Sequence, residues 1–296
     1  DGTPVTLWGR DAAVIDHLGS SRRASRLCDV ALPESLTPSA SFPKAPIMLL
    51  AVPTQALGAF IDDHADQISS CILVACCKGV DQASGLGPVG LIERKLPDAK
   101  AGMLTGPSFA IDIAHGLPTA LTIAGRDDQT IQTLQTALSR DALRIYATDD
   151  VAGAELGGAL KNVIAIAAGI VIGAGFGESA RAALIARGFA ELQRISTALG
   201  ARPETLAGLS GLGDRVLTAT SEKSRNLRAG LALGAGTPLA EGETIEGLAT
   251  SRAVARLARS KGIDAPIVAT VADIVAGKLS PDTARERLMA RPLRRE

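Results

Sequence analysis

The sequence predicts an α/β protein in two parts, a sheet-bearing domain over residues 1–149 and an all-helical domain over residues 150–296. Three observations carry this. Short runs that are apolar on both strand faces recur through the first half, and helical patterns lie between several of them. The strand signal then stops near Thr148-Asp149-Asp150, where alanine-rich helical segments take over. Strands hydrophobic on both faces and separated by helices indicate a mainly parallel sheet covered on both sides.

In chain order, the strands are PVTLW (4–8), PIMLLAV (46–52), CILVACC (71–77), AGMLT (101–105), TALTIAG (119–125) and ALRIYA (142–147). Helical spacing covers Gln55 to Ile68 and Gln129 to Leu138, and the glycine-rich turns GLSGLGD (208–214) and GAGTP (234–238) break up the second half. The longest apolar run, Val163 to Gly177, is glycine-rich and falls short of the roughly 18 residues a membrane helix needs. The chain opens at Asp1, without methionine, and enters a strand within a few residues, which reads as a chain entered partway through.

The 296 residues are enough for about two domains with a sizeable core. With 46% hydrophobic but only 2% aromatic residues, that core is built from Ala, Val, Ile and Leu. Thirty-one basic residues balance 31 acidic ones, which argues against a general nucleic-acid or membrane-surface binder. Cys28, Cys71, Cys76 and Cys77 have neither zinc nor disulfide spacing, and His17, His64 and His115 stand far apart, so no metal site is expected. The thiols read as free cysteines in a reducing cytoplasm.

Several loops carry chemistry. Arg10 follows the first strand, where an arginine can receive a ribose 2′-phosphate in a dinucleotide fold. AVPTQ (51–55) and CCKG (76–79) lie where strands give way to loops, so Lys78 can face a phosphate or remain a surface lysine at a turn. In GPSFA (106–110), Gly106 and Pro107 form a tight turn and Ser108 is placed as the N-cap of a helix. Arg225, in Ser224-Arg225-Asn226, offers a planar fork of donors for phosphate. Asp214 is either a helix cap or a carboxylate partner for Lys161.

Lys161 is the strongest anomaly. At helical spacing it is flanked by Gly157, Gly158, Ile164 and Ala165, an apolar face. Desolvation there lowers the pKa of an amine toward the value of a useful base. The other reading is a stem laid along the core with its head in water.

Taken in order and spacing, AVPTQAL, CCKG, GPSFAIDIAHGLPTA, ELGGALKNVIAIAAGI, GLGDRVLTATSEKSRN and IEGLATSRAVARLARSKGIDAPI resemble the bacterial NAD(P)-dependent glycerol-3-phosphate dehydrogenases, from Val5 to beyond Pro266. The resemblance implies a Rossmann-type doubly wound sheet followed by a helical domain. It implies reduction of dihydroxyacetone phosphate to sn-glycerol 3-phosphate for phospholipid synthesis, in the cytoplasm and as a homodimer.

Carried over, Lys161 matches the proton-transferring lysine, which also touches substrate, and Lys78 a lysine shared by substrate and cofactor. Gly106, Ser108, Asp214, Ser224, Arg225 and Asn226 match substrate contacts. Arg10, Ala110, Arg225, Thr244 and Glu246 match cofactor contacts, with NADPH slightly favoured over NADH. The sequence departs from the family pattern at Asp11, where a second basic residue is common, and at Asp112, Arg215 and Thr244. The family's first strand and GxGxxG loop are not in this chain. The expectation is therefore about 20 further residues upstream, and two open hydrophobic sheet edges without them. A related β-hydroxyacid dehydrogenase or ketopantoate reductase, or a non-catalytic phosphometabolite-binding paralogue, are the alternatives.

Overall fold

The computed structural model describes residues 2–28 and 30–291. Its main sheet has five strands, β5 (Ile47–Leu50), β6 (Ile72–Ala75), β7 (Lys100–Thr105), β8 (Thr119–Gly125) and β9 (Leu143–Thr148), hydrogen-bonded in that order. Ahead of it lie β1 (Val5–Trp8), which pairs in parallel with β4 (Leu36–Ser39), and the two-residue strands β2 (Arg23–Ala24) and β3 (Val30–Ala31), which pair with each other. The predicted strands agree with the observed ones to within a few residues.

Three features were not in the sequence pattern. The short β2–β3 pair forms, β4 forms from a polar segment, and β8 runs antiparallel to β7, so β8 and β9 oppose β5 to β7. The link from β7 to β8 holds only the five-residue helix α4 (Ala110–Ala114). That helix advances about 7.5 Å against roughly 20 Å for the strand it follows. The chain therefore re-enters the sheet from the same end.

β1–β4 and β5–β9 are separate sheets, and Val5, Leu7 and Leu49 are exposed at 50%, 39% and 50% although apolar. Side chains, not ladder bonds, fasten the small sheet: the Trp8 ring lies 5.1 Å from Phe42 and 6.0 Å from Phe60, and its Nε1 donates to Ala40 O at 3.2 Å.

α1 (Ala12–Ser21), capped by the Asp11 carboxylate, links β1 to β2. α2 (Thr54–Ile68) and α3 (Pro88–Lys95) pack Leu57, Ile61, Leu91 and Ile92 against Leu50 and Leu73 of the sheet. α5 (Asp128–Leu138) packs Ile131 and Leu134 against Leu121, Ile123 and Ile145. Helices thus flank the sheet as the two-faced strands require.

After β9 the described chain is helical. The helices are α6 (Val151–Gly173), α7 (Glu178–Ala198), α8 (Pro203–Ala207), a π-helical turn at Leu209–Gly213, α9 (Asp214–Thr220), α10 (Arg225–Ala235), α11 (Glu246–Ser260), α12 (Pro266–Val275) and α13 (Pro281–Met289). α6 is longer than the apolar run suggested. By length and composition it could cross a membrane, but 83% of its most apolar window is buried inside the protein. It is the central helix of the second core, where Leu160, Val163, Ile164 and Ile166 meet Leu192, Ile195, Val254 and Val268.

Arg215 breaks the pattern of that core. It is fully buried, and its three guanidinium nitrogens have no hydrogen-bond partner among the described residues. Its compensating contact is with the Phe189 ring, 4.3 Å from the guanidinium carbon. Burial alone pushes its pKa down to about 10. At about 1.4 kcal/mol per pKa unit, that displacement is a penalty of about 3 kcal/mol, against about 2 for a desolvated cation–π contact. Arg215→Met removes both and should raise the thermal midpoint by a few degrees in calorimetry, for about 1–2 kcal/mol. An unchanged or lower midpoint would show that this charge is better solvated than its contacts indicate.

Candidate active site

Two glycines explain why Lys161 sits where it does. One turn before it on α6, a Cβ on Gly157 would lie 2.8 Å from Ser210 O, and a Cβ on Gly158 would lie 2.9 Å from Thr105 Oγ1. Only hydrogen at these positions lets the π-helical turn and the end of β7 close onto α6. The first of these neighbours leads directly into Asp214, the second into Gly106. Their convergence on Lys161 is thus written into the helix that carries it.

Lys161 is 6% exposed and donates to Asp214 Oδ1 and, at 3.0 Å, to Thr218 Oγ1. The Thr218 hydroxyl donates to Asp214 O at 2.6 Å, which fixes it as an acceptor toward the amine. The other carboxylate oxygen, Asp214 Oδ2, accepts from Lys78 Nζ at 2.7 Å, and Lys78 Nζ also donates to Gly106 O at 3.0 Å. Each amine, when protonated, has three donors and two partners here, so each keeps one N–H for a ligand oxygen.

One carboxylate between two amines balances one positive charge. Burial, reinforced by the Lys78 charge and opposed by Asp214, pushes the Lys161 pKa from 10.5 down to about 7. This is the value of a group that gives and takes a proton near neutrality. The burial of this amine removes the reading of Lys161 as a stem with its head in water, and its bond to Oδ1 makes Asp214 a carboxylate partner rather than a side-chain cap.

The Lys78 loop is held from the helical side. Glu246, the first residue of α11, accepts from Lys78 N at 3.1 Å and from Thr54 N and Oγ1 at 3.1 Å each. Asn162 Nδ2 donates to Lys78 O, Asn226 Nδ2 to Asn162 Oδ1, and Gly247 N to Asn226 Oδ1, at 3.0–3.1 Å. This amide chain ties β6, α6, α10 and α11 into one frame. Ser224 is the N-cap of α10, accepting from Leu227 N at 3.2 Å. Beside it Arg225 is exposed and, among the described residues, has no hydrogen-bond or ion-pair partner.

The structure thus brings together Lys78, Gly106, Lys161, Asp214, Asn226 and Glu246. Arg10, Ala110 and Thr244 are exposed, and none is hydrogen-bonded to this group. Ser108 corrects the sequence reading. The residue at the N-cap position of α4 is Phe109, in extended geometry and without a side-chain cap bond, while Ser108 Oγ lies 3.5 Å from Gly106 O. Chain left extended after Pro107 delays the helix past the serine. Thr218 and Asn162 were missed. Thr218 is four residues after Asp214 on α9, a spacing that shares a helix face.

The arrangement suits a dinucleotide. Thr54 and Lys78 follow the carboxyl ends of β5 and β6, where open α/β sheets bind their ligands. Gly79 has no room for a side chain, since a Cβ would lie 2.9 Å from Thr54 Oγ1. The buried hydroxyl of Thr105, the residue before Gly106, has no hydrogen-bond partner among the described residues.

Comparison with known proteins agrees with this geometry. Residues 1–131 match the family described as NAD-dependent glycerol-3-phosphate dehydrogenase N-terminus, and residues 150–286 match its C-terminus. The chain is 56% identical over 295 residues to a glycerol-3-phosphate dehydrogenase (NAD(P)+) of Cereibacter sphaeroides, spanning 99% of this chain and 93% of that protein. A Paracoccus denitrificans protein of the same name is 53% identical over the same shares. The crystal structure of glycerol-3-phosphate dehydrogenase from Coxiella burnetii superposes with a TM-score of 0.91 at 34% identity, covering 97% of this chain and 92% of that one.

Proposed function

The chain belongs to the NAD-dependent glycerol-3-phosphate dehydrogenase family, and we propose that Lys161, oriented by Asp214 and Thr218, is the proton-transferring group of its reaction. The enzyme is an NAD(P)-dependent oxidoreductase that interconverts dihydroxyacetone phosphate and sn-glycerol 3-phosphate. The observation that carries the assignment is a buried amine held by Asp214 and Thr218, on a helix packed against the one that begins with Arg225, which has no hydrogen-bond or ion-pair partner among the described residues.

A bound dinucleotide supplies the hydride. As charge grows on the ketone oxygen, protonated Lys161 donates to it; in the reverse direction, the neutral amine takes the alcohol proton. Lys78 keeps one N–H for the same substrate, and its positive charge beside Lys161 favours the neutral form of that amine. Arg225, with the free O–H of Ser224 and the remaining N–H of Asn226, holds the phosphate and so places the reacting carbon. Gly106 and Ser108 line the substrate side. Ala110, Thr244, Glu246 and Arg10 lie toward the cofactor.

Residues 1–149 form the dinucleotide-binding domain and residues 150–296 the helical catalytic domain in this reading. Asp11 spends its carboxylate on capping α1, accepting from Val14 N at 3.2 Å, while Arg10 beside it stays exposed. That pairing supports NADPH over NADH. A cytoplasmic homodimer supplying glycerol 3-phosphate to phospholipid synthesis completes the reading.

The test is spectrophotometric, with dihydroxyacetone phosphate and ketopantoate as competing substrates and NADPH and NADH as donors. Preference for the phosphorylated ketone is expected. Arg225→Ala should raise the KM for it by about 10–100-fold, the worth of a lost charge-assisted fork, with a smaller change in kcat. An unchanged KM would take Arg225 out of the phosphate site. Titration of Trp8 fluorescence with NADPH separates an enzyme from a paralogue that binds no dinucleotide.

A further inference from the structure

At the opposite end of α11 from Glu246 lies a cavity of about 400 Å³. α11 has 15 residues, so this cavity is on the order of 20 Å from the Lys78 loop. None of its lining residues belongs to the lysine–aspartate site. Its floor is small and apolar, formed by Ala255 and Ala258 of α11, Pro266 and Ala269 of α12, and Leu288 of α13. Its rim is cationic, with Arg259, Arg287 and Arg291 facing a single carboxylate, Asp264.

The four charges are not equally engaged. Arg291 engages Asp264 through one nitrogen, Nη2, which donates to both carboxylate oxygens at 3.1 and 2.9 Å. Arg287 reaches Asp273 at 3.4 Å, a single long contact that leaves most of its fork open. Arg259 is exposed and has no hydrogen-bond or ion-pair partner among the described residues. A guanidinium is a planar set of donors suited to an oxyanion. Here an open fork stands over a floor that is apolar apart from Thr270.

We infer that this cavity is a second ligand site, which takes a small amphiphilic anion: a carboxylate or phosphate head on Arg259 and Arg287, and a short apolar tail along Ala258, Ala269 and Leu288. Head and tail are both required. A bare anion would remain hydrated at an exposed rim, and a neutral chain would leave the guanidinium forks unused. The volume falls within the range of small-molecule sites and holds about a dozen water-sized groups, which limits the tail to a few carbons. The site is independent of the dehydrogenase assignment and can be tested without turnover.

The probes are hexyl phosphate, hexanoate, inorganic phosphate and hexanol, titrated calorimetrically into the intact protein. Saturable binding of hexyl phosphate or hexanoate is expected, at least about tenfold tighter than phosphate or hexanol. The two amphiphiles distinguish a phosphate head from a carboxylate. Arg259→Ser, at an exposed position, should weaken binding about tenfold or more, the worth of a charge-assisted contact. Ala269→Leu should abolish it by filling the floor, with the dehydrogenase rate unchanged in both variants. The inference falls if neither amphiphile saturates by about 10 mM, if hexanol binds as tightly as hexyl phosphate, or if both variants bind as the parent does.

Discussion

Lys161→Met lowers turnover by about 10³-fold or more, while dinucleotide binding, followed by Trp8 fluorescence, stays near the parental value. Proton transfer from a positioned side chain contributes about 10²–10⁴-fold, and Lys161 is the one amine with both oriented acceptors, Asp214 and Thr218. Methionine keeps the length and apolar stem, and Asp214 retains Lys78 as its counter-ion. The pH dependence follows from the lowered pKa. Reduction needs the ammonium form, so kcat/KM for dihydroxyacetone phosphate falls as pH rises through about 7. Oxidation needs the free amine, so its rate rises through the same range and then levels. Stability has its own sign. The unfolded lysine binds a proton up to about 10.5 and the folded one only up to about 7, so the parent becomes more stable as pH rises through that window. Lys161→Met flattens that slope. Near-normal turnover in the variant would assign proton transfer to another group, with Lys78 the first candidate.

The fold was legible where it depends on periodicity, and the site where it depends on chemistry that no plain helix would tolerate. Strands apolar on both faces announced a covered sheet, and β5 to β9 are where that pattern placed them. The reversal of β8 was not legible, because hydrophobicity along a strand carries no direction. β4 was invisible because Leu36–Ser39 is too polar to read as a strand, and pairing with β1 supplies what its own sequence lacks. Lys161 stood out because a charge among small apolar residues needs a reason. Its partner was ambiguous because Asp214 follows a glycine, as an ordinary helix cap would. That ambiguity is resolved by Gly157 and Gly158, whose missing side chains decide which backbone can approach. Asn162 and Thr218 carry no pattern of their own and become functional only through the neighbours that the fold brings to them. Ser108 was misplaced for the converse reason: a good capping residue near a helix start is used only if the chain turns there.

Gly230→Val removes the folded state at growth temperature, or leaves a protein several kcal/mol less stable, because it forces apart the two helices that assemble the site. α6 and α10 meet backbone to backbone. A Cβ on Gly230 would lie 2.1 Å from Ile166 O and one on Gly169 2.2 Å from Leu227 O. One turn further along, Gly173 faces Leu231 O at 2.2 Å and Gly234 faces Ile170 O at 2.4 Å. Each helix thus supplies glycines at a spacing of four to the other's carbonyls, and no side chain at the seam can yield, because the atoms in the way are main chain. Overpacking a core that can adjust costs about 1–3 kcal/mol; a clash with rigid backbone exceeds this, in the range that unfolds marginal proteins. The loss should extend to catalysis, since α10 begins with Arg225 and Asn226 and the opposing helix carries Lys161 and Asn162. Gly230→Ala, with a smaller intrusion, is therefore expected to lower the thermal midpoint and, in the fraction that folds, to raise the KM for dihydroxyacetone phosphate as the α10 start is displaced. The control is Gly19→Ala in α1, where nothing lies within 4 Å of the added methyl. That change should be neutral or stabilising by up to about 1 kcal/mol from helix propensity alone. If Gly230→Ala behaves like Gly19→Ala in calorimetry, the seam is looser than these approaches imply and the glycines are not what brings the two helices together.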